Sequence, residues 1–376
     1  MDYHSKFPAV SDLKKRAQKR IPHFVWEYLD SGTGLENTRK RNRAKLDEVM
    51  FYPSVLHGDI KPNLKTTILN HEYGLPFGIA PVGMSGLIWP NAEKILAKTA
   101  AGSNIPYTLS TVASQSPEDL APHIDKNAWF QLYPPRDAEI LDDILKRVRD
   151  SGFTTLVLTV DVPDASRREK QIRGGLTHPP RLTGRLGLQA ISKPVWLANT
   201  LRNGIPKMKL MQSYSNERKS LSSTAHIGYL LRTSPDINYL RSLRKKWKGN
   251  LVVKGVMRAE DARSLEQEGV NAIWVSNHAG RQFDGTYSSI EVLPKIRKVT
   301  KLPIIFDSGI EGGLDILRAL SSGADFVMMG GAWHYSLGAM GTKGPNHLID
   351  ILTKDLIANM GQLGLQDISD LKNNTI

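Results

Sequence analysis

The feature that most constrains the fold is a repeated alternation of short apolar runs with longer helix-like stretches. Such an alternation is typical of βα units in a parallel sheet. Because eight βα units close into a barrel, the sequence predicts an α/β protein built on a (β/α)8 TIM barrel with an N-terminal helical extension. We expect one domain, residues 1–376, with the barrel at about 75–345. The predicted strands are residues 77–82, 107–111, 129–133, 155–161, 251–255, 272–277, 304–309 and 326–330.

Many of the predicted strands carry polar residues at or just after their C-terminal ends. In a barrel of this kind the active site lies at the C-terminal ends of the strands. Packing alone does not explain so many polar groups at one rim, because buried polar groups are costly unless they are paired. We therefore expect the functional site there. The polar residues at the strand ends are Ser110, Gln131, Tyr133, Thr159, Asp161, Lys254, Ser276, His278, Arg281 and Asp307.

His278 and Arg281 stand three residues apart, just after the apolar run 272–275. An imidazole exchanges a proton near neutral pH, and a guanidinium holds a carboxylate through two parallel hydrogen bonds. The pair therefore indicates chemistry next to a carboxylate. Taken alone, such a motif more often marks a structural histidine and a surface arginine. The other polar strand ends favour the functional interpretation.

Composition excludes several kinds of site. The chain has no cysteine, which excludes disulfides, thiolate zinc sites, iron–sulfur clusters and a cysteine nucleophile. We predict no metal site. The N-terminus is polar and lacks the apolar core of a signal peptide, and no apolar run is suited to span a bilayer. These features predict a cytoplasmic protein.

Positive charge is concentrated in one segment. The whole chain has a net charge of +13, and residues 166–220 hold twelve Lys or Arg against two Glu, a net charge of +10. We predict a long basic insertion loop here, after the fourth strand. Basic side chains mixed with apolar ones such as Trp196 and Ile205 suit an anionic membrane surface. A solvated loop is an equally good interpretation. No nucleic-acid recognition motif accompanies the charge, so we expect no nucleic-acid partner.

Several longer motifs occur in order along the chain. They are Ile-Ala-Pro-Val-Gly at 79–83, Leu-Ser-Thr at 109–111, Phe-Gln-Leu-Tyr at 130–133, Leu-Thr-Val-Asp-Val-Pro at 158–163, Arg-Arg-Glu at 167–169, Val-Lys-Gly-Val at 253–256 and Ser-Asn-His at 276–278. With these motifs the chain resembles the FMN-dependent L-2-hydroxy acid oxidases and dehydrogenases. That family includes glycolate oxidase, L-lactate dehydrogenase and mandelate dehydrogenase. The resemblance extends from about residue 21 to residue 371.

The resemblance implies that the barrel mouth binds FMN. Lys254 would lie near N1 and the C2 carbonyl of the flavin, where the reduced ring becomes anionic and a fixed positive charge is stabilising. Polar side chains of the strand ends would hydrogen-bond the ring or the ribityl chain. The full set of predicted FMN-binding residues is Ala80, Pro81, Val82, Ser110, Gln131, Thr159, Lys254, Ser276, Asp307, Ser308, Gly309, Gly330 and Gly331.

The implied reaction is the oxidation of an L-2-hydroxy acid to the 2-keto acid. His278 would be the base, and Asp161 would stabilise its imidazolium form. Tyr28 has an alternative interpretation, since it could simply pack an N-terminal helix onto the barrel. The predicted catalytic residues are His278, Asp161, Tyr133 and Lys254. The predicted substrate-binding residues are Tyr28, Tyr133, Arg168, His278 and Arg281, with both arginines on the carboxylate.

Two stretches depart from the family. The seventh and eighth strands usually end in glycine-rich turns that carry arginines, but here the turns read Asp-Ser-Gly-Ile-Glu-Gly-Gly at 307–313 and Met-Gly-Gly-Ala at 329–332. We predict that backbone N–H groups at a helix N-terminus near Gly313 bind the phosphate instead. Val112 stands where several relatives carry tryptophan, which widens the pocket and leaves the substrate open.

The electron acceptor is predicted from two further likenesses. Gly83 falls where oxidases of the family often have alanine, and residues 194–206 resemble the segment that docks membrane-associated relatives on the bilayer. Both favour a dehydrogenase that passes electrons to quinone or another acceptor at the inner face of the cell membrane. The family also implies a homotetramer. The alternatives are an oxidase that makes hydrogen peroxide, a barrel with weakened FMN binding that acts on a larger hydroxy acid, and a non-catalytic binding protein.

Overall fold

The computed structural model describes residues 3–125, 128–176, 183–215 and 233–373. It begins with the predicted helical extension, formed by α1 (Val10–Arg20), α2 (His23–Leu29) and α3 (Asn37–Asp47). The buried residues of α1 recur at helical spacing, so this helix buries a single face. Its Ala17 lies so close to Gly338 that a Cβ built at residue 338 would be 3.0 Å from the Ala17 side chain. Small side chains therefore bring the extension tightly against the barrel.

A short hairpin precedes the barrel. Strands β1 (Thr66–Ile68) and β2 (His71–Tyr73) pair in antiparallel fashion. Leu69 and Asn70 form the two-residue turn, and both have positive φ, as a tight hairpin turn requires. Ile68 and Tyr73 pack into the apolar cluster that fills the lower barrel interior. The hairpin therefore closes the N-terminal end of the barrel.

Eight parallel strands form the barrel, as predicted. Each strand pairs with its neighbour in chain order, the last pairs with the first, and a parallel bridge from Ile79 to Tyr107 joins the remaining edges. Most strands end earlier than predicted, because their last residues diverge into the loops of the C-terminal rim. The strands are β3 (Phe77–Ile79), β4 (Thr108–Ser110), β5 (Trp129–Leu132), β6 (Thr155–Thr159), β7 (Asn250–Val256), β8 (Ala272–Val275), β9 (Ile304–Phe306) and β10 (Phe326–Met329).

Helices surround the barrel. In α7, for example, the side chain of Asp137 accepts hydrogen bonds from the first-turn N–H groups, and the buried leucine, isoleucine and valine residues repeat at helical spacing. The helices are α4 (Ser85–Ile88), α5 (Ala92–Gly102), α6 (Pro117–Leu120), α7 (Ala138–Asp150), α12 (Ile237–Lys246), α13 (Ala259–Glu266), α14 (Ser289–Arg297), α15 (Gly313–Ser321), α16 (Gly331–Met340) and α17 (Gly344–Leu363). Short 3-10 turns occupy Ala121–His123, His278–Gly280, Gly341–Lys343 and Ile368–Asn373.

The predicted basic loop at 166–220 follows the fourth barrel strand, but its described part is helical. Glycine and proline mark helix ends in this segment: Pro194 begins one helix, and Gly175 ends another with a left-handed φ. Residues 177–182 and 216–220 of this segment lie outside the described residues. The insertion helices are α8 (Glu169–Gly174), α9 (Gly184–Ile191), α10 (Pro194–Asn203) and α11 (Lys209–Ser215).

The barrel interior changes from apolar to polar along its axis. Its lower part is an apolar cluster that includes Trp129, Val252 and Ile305. Side chains alternate along a strand, so the residue two positions further on points into the same interior. At those positions the chain places buried polar groups, for example Lys254 two residues after Val252. The upper polar layer consists of Ser110, Gln131, Thr159, Lys254, Ser276 and Asp307.

Candidate active site

A cavity of about 910 Å³ lies at the C-terminal ends of the barrel strands. This volume lies in the range of cofactor and ligand pockets. Five of the predicted site residues are not part of its lining: Asp161 lies beside His278, and Ser110, Gln131, Thr159 and Ser276 lie in the buried polar layer. The predicted residues that line the cavity are Tyr28, Ala80, Pro81, Val82, Tyr133, Arg168, Lys254, His278, Arg281, Asp307, Ser308, Gly309, Gly330 and Gly331.

The ends of β6 and β8 bring His278 and Asp161 together. Nδ1 of His278 lies 3.1 and 3.2 Å from the two carboxylate oxygens of Asp161. Gly255 makes room for this contact, because a Cβ built there would lie 2.6 Å from the Asp161 side chain. Burial lowers the pKa of His278, and the attraction of Asp161 offsets this only in part. The imidazole is therefore neutral at neutral pH and able to accept a proton.

Several residues around the cavity have left-handed backbone conformations although they are not glycine. His278 has φ 54°, Arg168 has φ 44° and Ser308 has φ 88°. Hydrogen bonds hold the first of these turns: the His278 N–H donates to Ser276 Oγ at 3.1 Å, and the next N–H donates to Ser308 Oγ at 3.0 Å. Strained backbone of this kind persists where the surrounding structure fixes it, most often at functional sites.

Arg281 lies buried beside a second cation. Its guanidinium donates to the backbone carbonyls of Tyr28, Leu29 and Ser31 at 2.9 to 3.2 Å and stacks 5.7 Å from the centre of the Tyr28 ring. Burial and the repulsion of Arg168 lower the pKa of Arg281 to about 10, which still leaves it charged at neutral pH. Two neighbouring, partly buried cations favour a bound anion, since an anion relieves their repulsion.

Two tyrosine hydroxyls face the same region. The Tyr28 hydroxyl donates to the carbonyl of Gly83 at 2.8 Å, and both Tyr28 and Tyr133 line the cavity. Burial raises the pKa of both phenols, so both stay protonated and can donate hydrogen bonds. Tyr28 thus lines the cavity as well as lying on α2 of the extension, and its role as a substrate-binding residue stays a prediction.

The polar layer below the cavity contains a fixed cation and unsatisfied groups. Lys254 Nζ donates to Ser276 Oγ at 2.7 Å and lies 3.1 Å from the Asp307 carboxylate. Within the described residues, Nε2 of Gln131 and Oγ1 of Thr159 are buried without a hydrogen-bond partner. Leaving such groups unpaired is costly, so their presence indicates a ligand with polar edges. A flavin ring has such edges, and these residues fit it.

The phosphate prediction near Gly313 is wrong. The N–H groups of Gly313 and Leu314, at the start of α15, donate to Asp355 Oδ2 at 2.5 and 3.3 Å. A carboxylate from α17 therefore already satisfies the amides that were expected to bind phosphate. Glu311, in the same turn, lines the cavity and accepts a hydrogen bond from Lys14 at 2.8 Å.

Sequence reasoning missed a group of cations that reach the cavity from the N-terminal extension. These cations approach the turns that follow β9 and β10, although the cations and the turns are far apart in the sequence. A signal was present, since α3 is rich in basic residues, but nothing in the sequence indicated which way they point. The cations are Lys14, Arg39, Lys40 and Arg43.

The insertion also contributes to the site. Met211, on α11, is fully buried and packs with Val112 and Tyr133. Both of these neighbours line the cavity. An apolar wall therefore lies beside the hydrogen-bonding groups, and the insertion helices support it.

The fold and the site together define a cofactor-dependent barrel enzyme with a neutral histidine and a cationic recess at the strand ends. The sequence model of the FMN-dependent dehydrogenases matches residues 17–376, so the chain belongs to that family and is an FMN-dependent oxidoreductase. This confirms the resemblance seen in the motifs, the barrel fold and FMN as the cofactor.

The relatives agree over nearly the whole chain. The L-lactate dehydrogenase of Xanthobacter autotrophicus is 35% identical over 372 residues, which cover 97% of this chain and 95% of the relative. That of Stenotrophomonas maltophilia is 36% identical over 369 residues, with 96% and 97% covered. The structure of the monotopic membrane protein (S)-mandelate dehydrogenase matches with a TM-score of 0.93 at 34% identity and 98% coverage of both chains. A mandelate oxidase matches with a TM-score of 0.83 at 27% identity and 97% coverage of both.

Proposed function

We propose that this protein oxidises an L-2-hydroxy acid to the 2-keto acid, and that it is a dehydrogenase whose electrons pass to quinone at a membrane surface. The observation that carries the proposal is the His278–Asp161 pair beside Arg281 and Arg168 at one cavity. A neutral base next to two cations suits the removal of a proton from a molecule that carries a carboxylate. The named activities of the relatives agree with this substrate class.

In this proposal His278 holds the substrate proton on Nε2. Its other nitrogen, Nδ1, is engaged by Asp161 at 3.1 Å, which fixes the ring orientation and the tautomer. When Nε2 takes the proton, the imidazolium lies against a carboxylate. The attraction of His278 and Lys254 outweighs the effect of burial and lowers the pKa of Asp161, so this carboxylate stays ionised.

Arg281 and Arg168 orient the substrate carboxylate. The three backbone carbonyls that hold Arg281 fix the plane of its guanidinium before the substrate arrives, which reduces the entropy lost on binding. The Tyr133 hydroxyl would donate to the carboxylate or to the substrate hydroxyl. The Tyr28 hydroxyl would accept from the substrate hydroxyl, or would donate to the substrate after leaving the carbonyl of Gly83. The substrate side chain would contact the apolar wall of Val112, which Met211 supports.

The remaining residues hold the cofactor. FMN accepts the two electrons of the oxidation when it is bound. Ser110, Gln131, Thr159 and Ser276 would hydrogen-bond the flavin, and Lys254 would supply a fixed positive charge to it. The chain segments Ala80, Pro81 and Val82 and the turns at Asp307, Ser308, Gly309, Gly330 and Gly331 would line its edges.

The visible absorption spectrum of the purified protein tests this proposal. Under anaerobic conditions, L-lactate or L-mandelate should bleach the flavin bands. A quinone analogue should then restore them faster than air does. Rapid recovery in air would support the oxidase alternative and would contradict the quinone assignment. If no L-2-hydroxy acid with an apolar side chain bleaches the flavin bands, the proposed oxidation itself is wrong.

Membrane contact is the second part of the proposal. The insertion helices expose large apolar side chains next to cations such as Lys193 and Arg202. Apolar side chains that enter the headgroup region and cations that attract anionic lipid act together in peripheral membrane binding. No described helix has the length and hydropathy to cross a bilayer. The exposed apolar residues are Leu188, Ile191, Val195, Leu201 and Ile205.

Replacing Leu188, Leu201 and Ile205 together with serine should weaken binding to anionic vesicles by at least about tenfold, because full burial of one such side chain is worth roughly 1.5–3 kcal/mol. Flavin reduction in solution should not change. Co-sedimentation with vesicles measures the binding. Deleting the whole insertion would be a poorer test, since Trp196 and Met211 are buried and their loss would damage the fold.

The matched control is Leu56→Ser, at a fully exposed leucine outside the insertion. This variant should bind vesicles as the unmodified protein does. The membrane assignment is wrong if the triple variant sediments with vesicles unchanged, or if the unmodified protein does not bind them.

A further inference from the structure

We infer that Lys14 of the N-terminal extension binds the phosphate of FMN, with Arg39 and Arg43 adding positive charge beside it, in place of side chains from the turns after β9 and β10. The inference rests on FMN as the cofactor and names residues for its phosphate end. Those turns carry no arginine between 307 and 313 or between 329 and 332, and Asp355 takes the amides at the start of α15. The positive charge must therefore come from elsewhere in the cavity lining.

Lys14 connects α1 to both turns. Its Nζ lies 2.8 Å from Glu311, which follows β9, and 3.6 Å from Asp30. The same ammonium lies 5.2 Å from the centre of the Tyr335 ring. That ring faces the turn after β10, because a Cβ built at Gly331 would lie 3.4 Å from it. Lys14 therefore stands between the two turns at which the phosphate end of the cofactor would lie.

Arg39 and Arg43, on α3, flank the same place. Arg39 donates to the backbone carbonyl of Asp30 at 2.6 Å and to its carboxylate, which also accepts from the Tyr335 hydroxyl. Arg43 donates to the carbonyl of Gly309 at 3.1 Å, in the turn after β9, and its other N–H groups donate to Asp47 and Asp315, so it contributes charge rather than a free donor. Both guanidiniums line the cavity. Three cations thus converge on the rim from one side.

The carboxylates around these cations differ in how firmly they are held. Asp315 binds Arg43 through two hydrogen bonds and is only 7% exposed, and Asp30 is 13% exposed. Glu311 is 41% exposed, and Lys14 is the cation it pairs with among the described residues. An exposed ion pair contributes little, on the order of 0–1 kcal/mol. Glu311 can therefore leave Lys14 at small cost.

This difference in exposure predicts which carboxylate gives way when the phosphate binds. The phosphate replaces the Glu311 carboxylate on Lys14, while Asp30 and Asp315 keep the two arginines in position. Because a phosphate offers three acceptor oxygens and more negative charge than one carboxylate, it makes the stronger charge-assisted hydrogen bonds. Glu311 then competes with the cofactor for Lys14 and weakens the binding of FMN in particular.

The test compares FMN with riboflavin, which lacks the phosphate, in the full-length protein freed of flavin. Quenching of flavin fluorescence measures each affinity. Lys14→Ala should weaken FMN binding by about tenfold or more, in line with the loss of a charge-assisted hydrogen bond, and should leave riboflavin binding unchanged. Glu311→Gln should tighten FMN binding several-fold and also leave riboflavin unchanged. Lys15→Ala is the matched control, because Lys15 is exposed on the same helix.

Equal loss of FMN and riboflavin affinity in Lys14→Ala would overturn the inference, since it would show a structural effect. Unchanged FMN affinity in both Lys14→Ala and Glu311→Gln would also overturn the inference. The proposed oxidation would not be affected by that result, provided that the unmodified protein binds FMN. If the unmodified protein bound neither FMN nor riboflavin, both the phosphate inference and the proposed function would be wrong. Glu311→Gln removes no packing and a single charge, so it remains informative if Lys14→Ala folds poorly.

Discussion

Replacing His278 with glutamine should lower the rate of substrate-driven flavin reduction by roughly 10²- to 10⁴-fold, the usual contribution of a positioned general base. Glutamine keeps a polar side chain of similar length at the left-handed turn but cannot take up a proton at Nε2. The flavin should stay bound, because His278 lies at the cavity edge and the polar layer beneath it is untouched. Anaerobic stopped-flow absorption measures the reduction, and the ratio of flavin to protein absorbance measures retention.

His23→Gln is the control for this substitution, because the side chain of His23 is exposed on α2. The unmodified protein should also lose activity as the pH falls. Burial sets the pKa of His278 below its ordinary value of 6.5, so the base is neutral at pH 7 and becomes protonated only under more acidic conditions. Flavin reduction at the normal rate in His278→Gln would remove His278 as the base.

Arg281→Met should lower kcat/KM by roughly 30-fold to several thousandfold, because truncating one partner of a buried, hydrogen-bonded charge pair costs about 2–5 kcal/mol. Most of the loss should appear in KM if the carboxylate is held equally in the ground and transition states. Steady-state kinetics measures this effect, with the hydroxy acid that is found to bleach the flavin bands as the substrate. Arg281→Lys should recover only part of it, since lysine keeps the charge but lacks the planar fork.

Arg281 also fixes the chain at Tyr28, Leu29 and Ser31, so the stability of the variant must be measured beside its kinetics. Arg258→Met is the control, because Arg258 is an exposed arginine that pairs only weakly with Glu260. If kcat/KM in Arg281→Met equals that of the control, Arg281 does not bind the substrate carboxylate.

The barrel could be predicted from the sequence because buried parallel strands are continuous apolar runs. The strand ends could not, since the last residues of a strand are decided by hydrogen bonds to its neighbours. Residues 304–309 show this: the strand ends at Phe306, because its pairing with β8 ends at Val275. The pairing of His278 with Asp161 was predictable, because the fold brings the ends of all the strands to one rim.

The phosphate end could not be predicted in the same way. Asp355 reaches the start of α15 from 42 residues further along the chain, and Lys14 reaches Glu311 across 297 residues. Contacts of this kind depend on how α1, α3 and α17 dock, and no local pattern encodes docking. The helices of the basic segment 166–220 were not predicted for a different reason, since glycine and proline end helices as readily as they interrupt them.

The packing of α1 against α16, where Ala17 meets Gly338, joins two helices that lie far apart in the sequence. Lys14, Arg39 and Arg43 can reach their places only after the ribosome has delivered the final two strands. The N-terminal extension therefore stays undocked until these strands have been made. If these cations hold the phosphate as inferred above, tight binding of FMN requires that α1 and α3 have docked on the finished barrel.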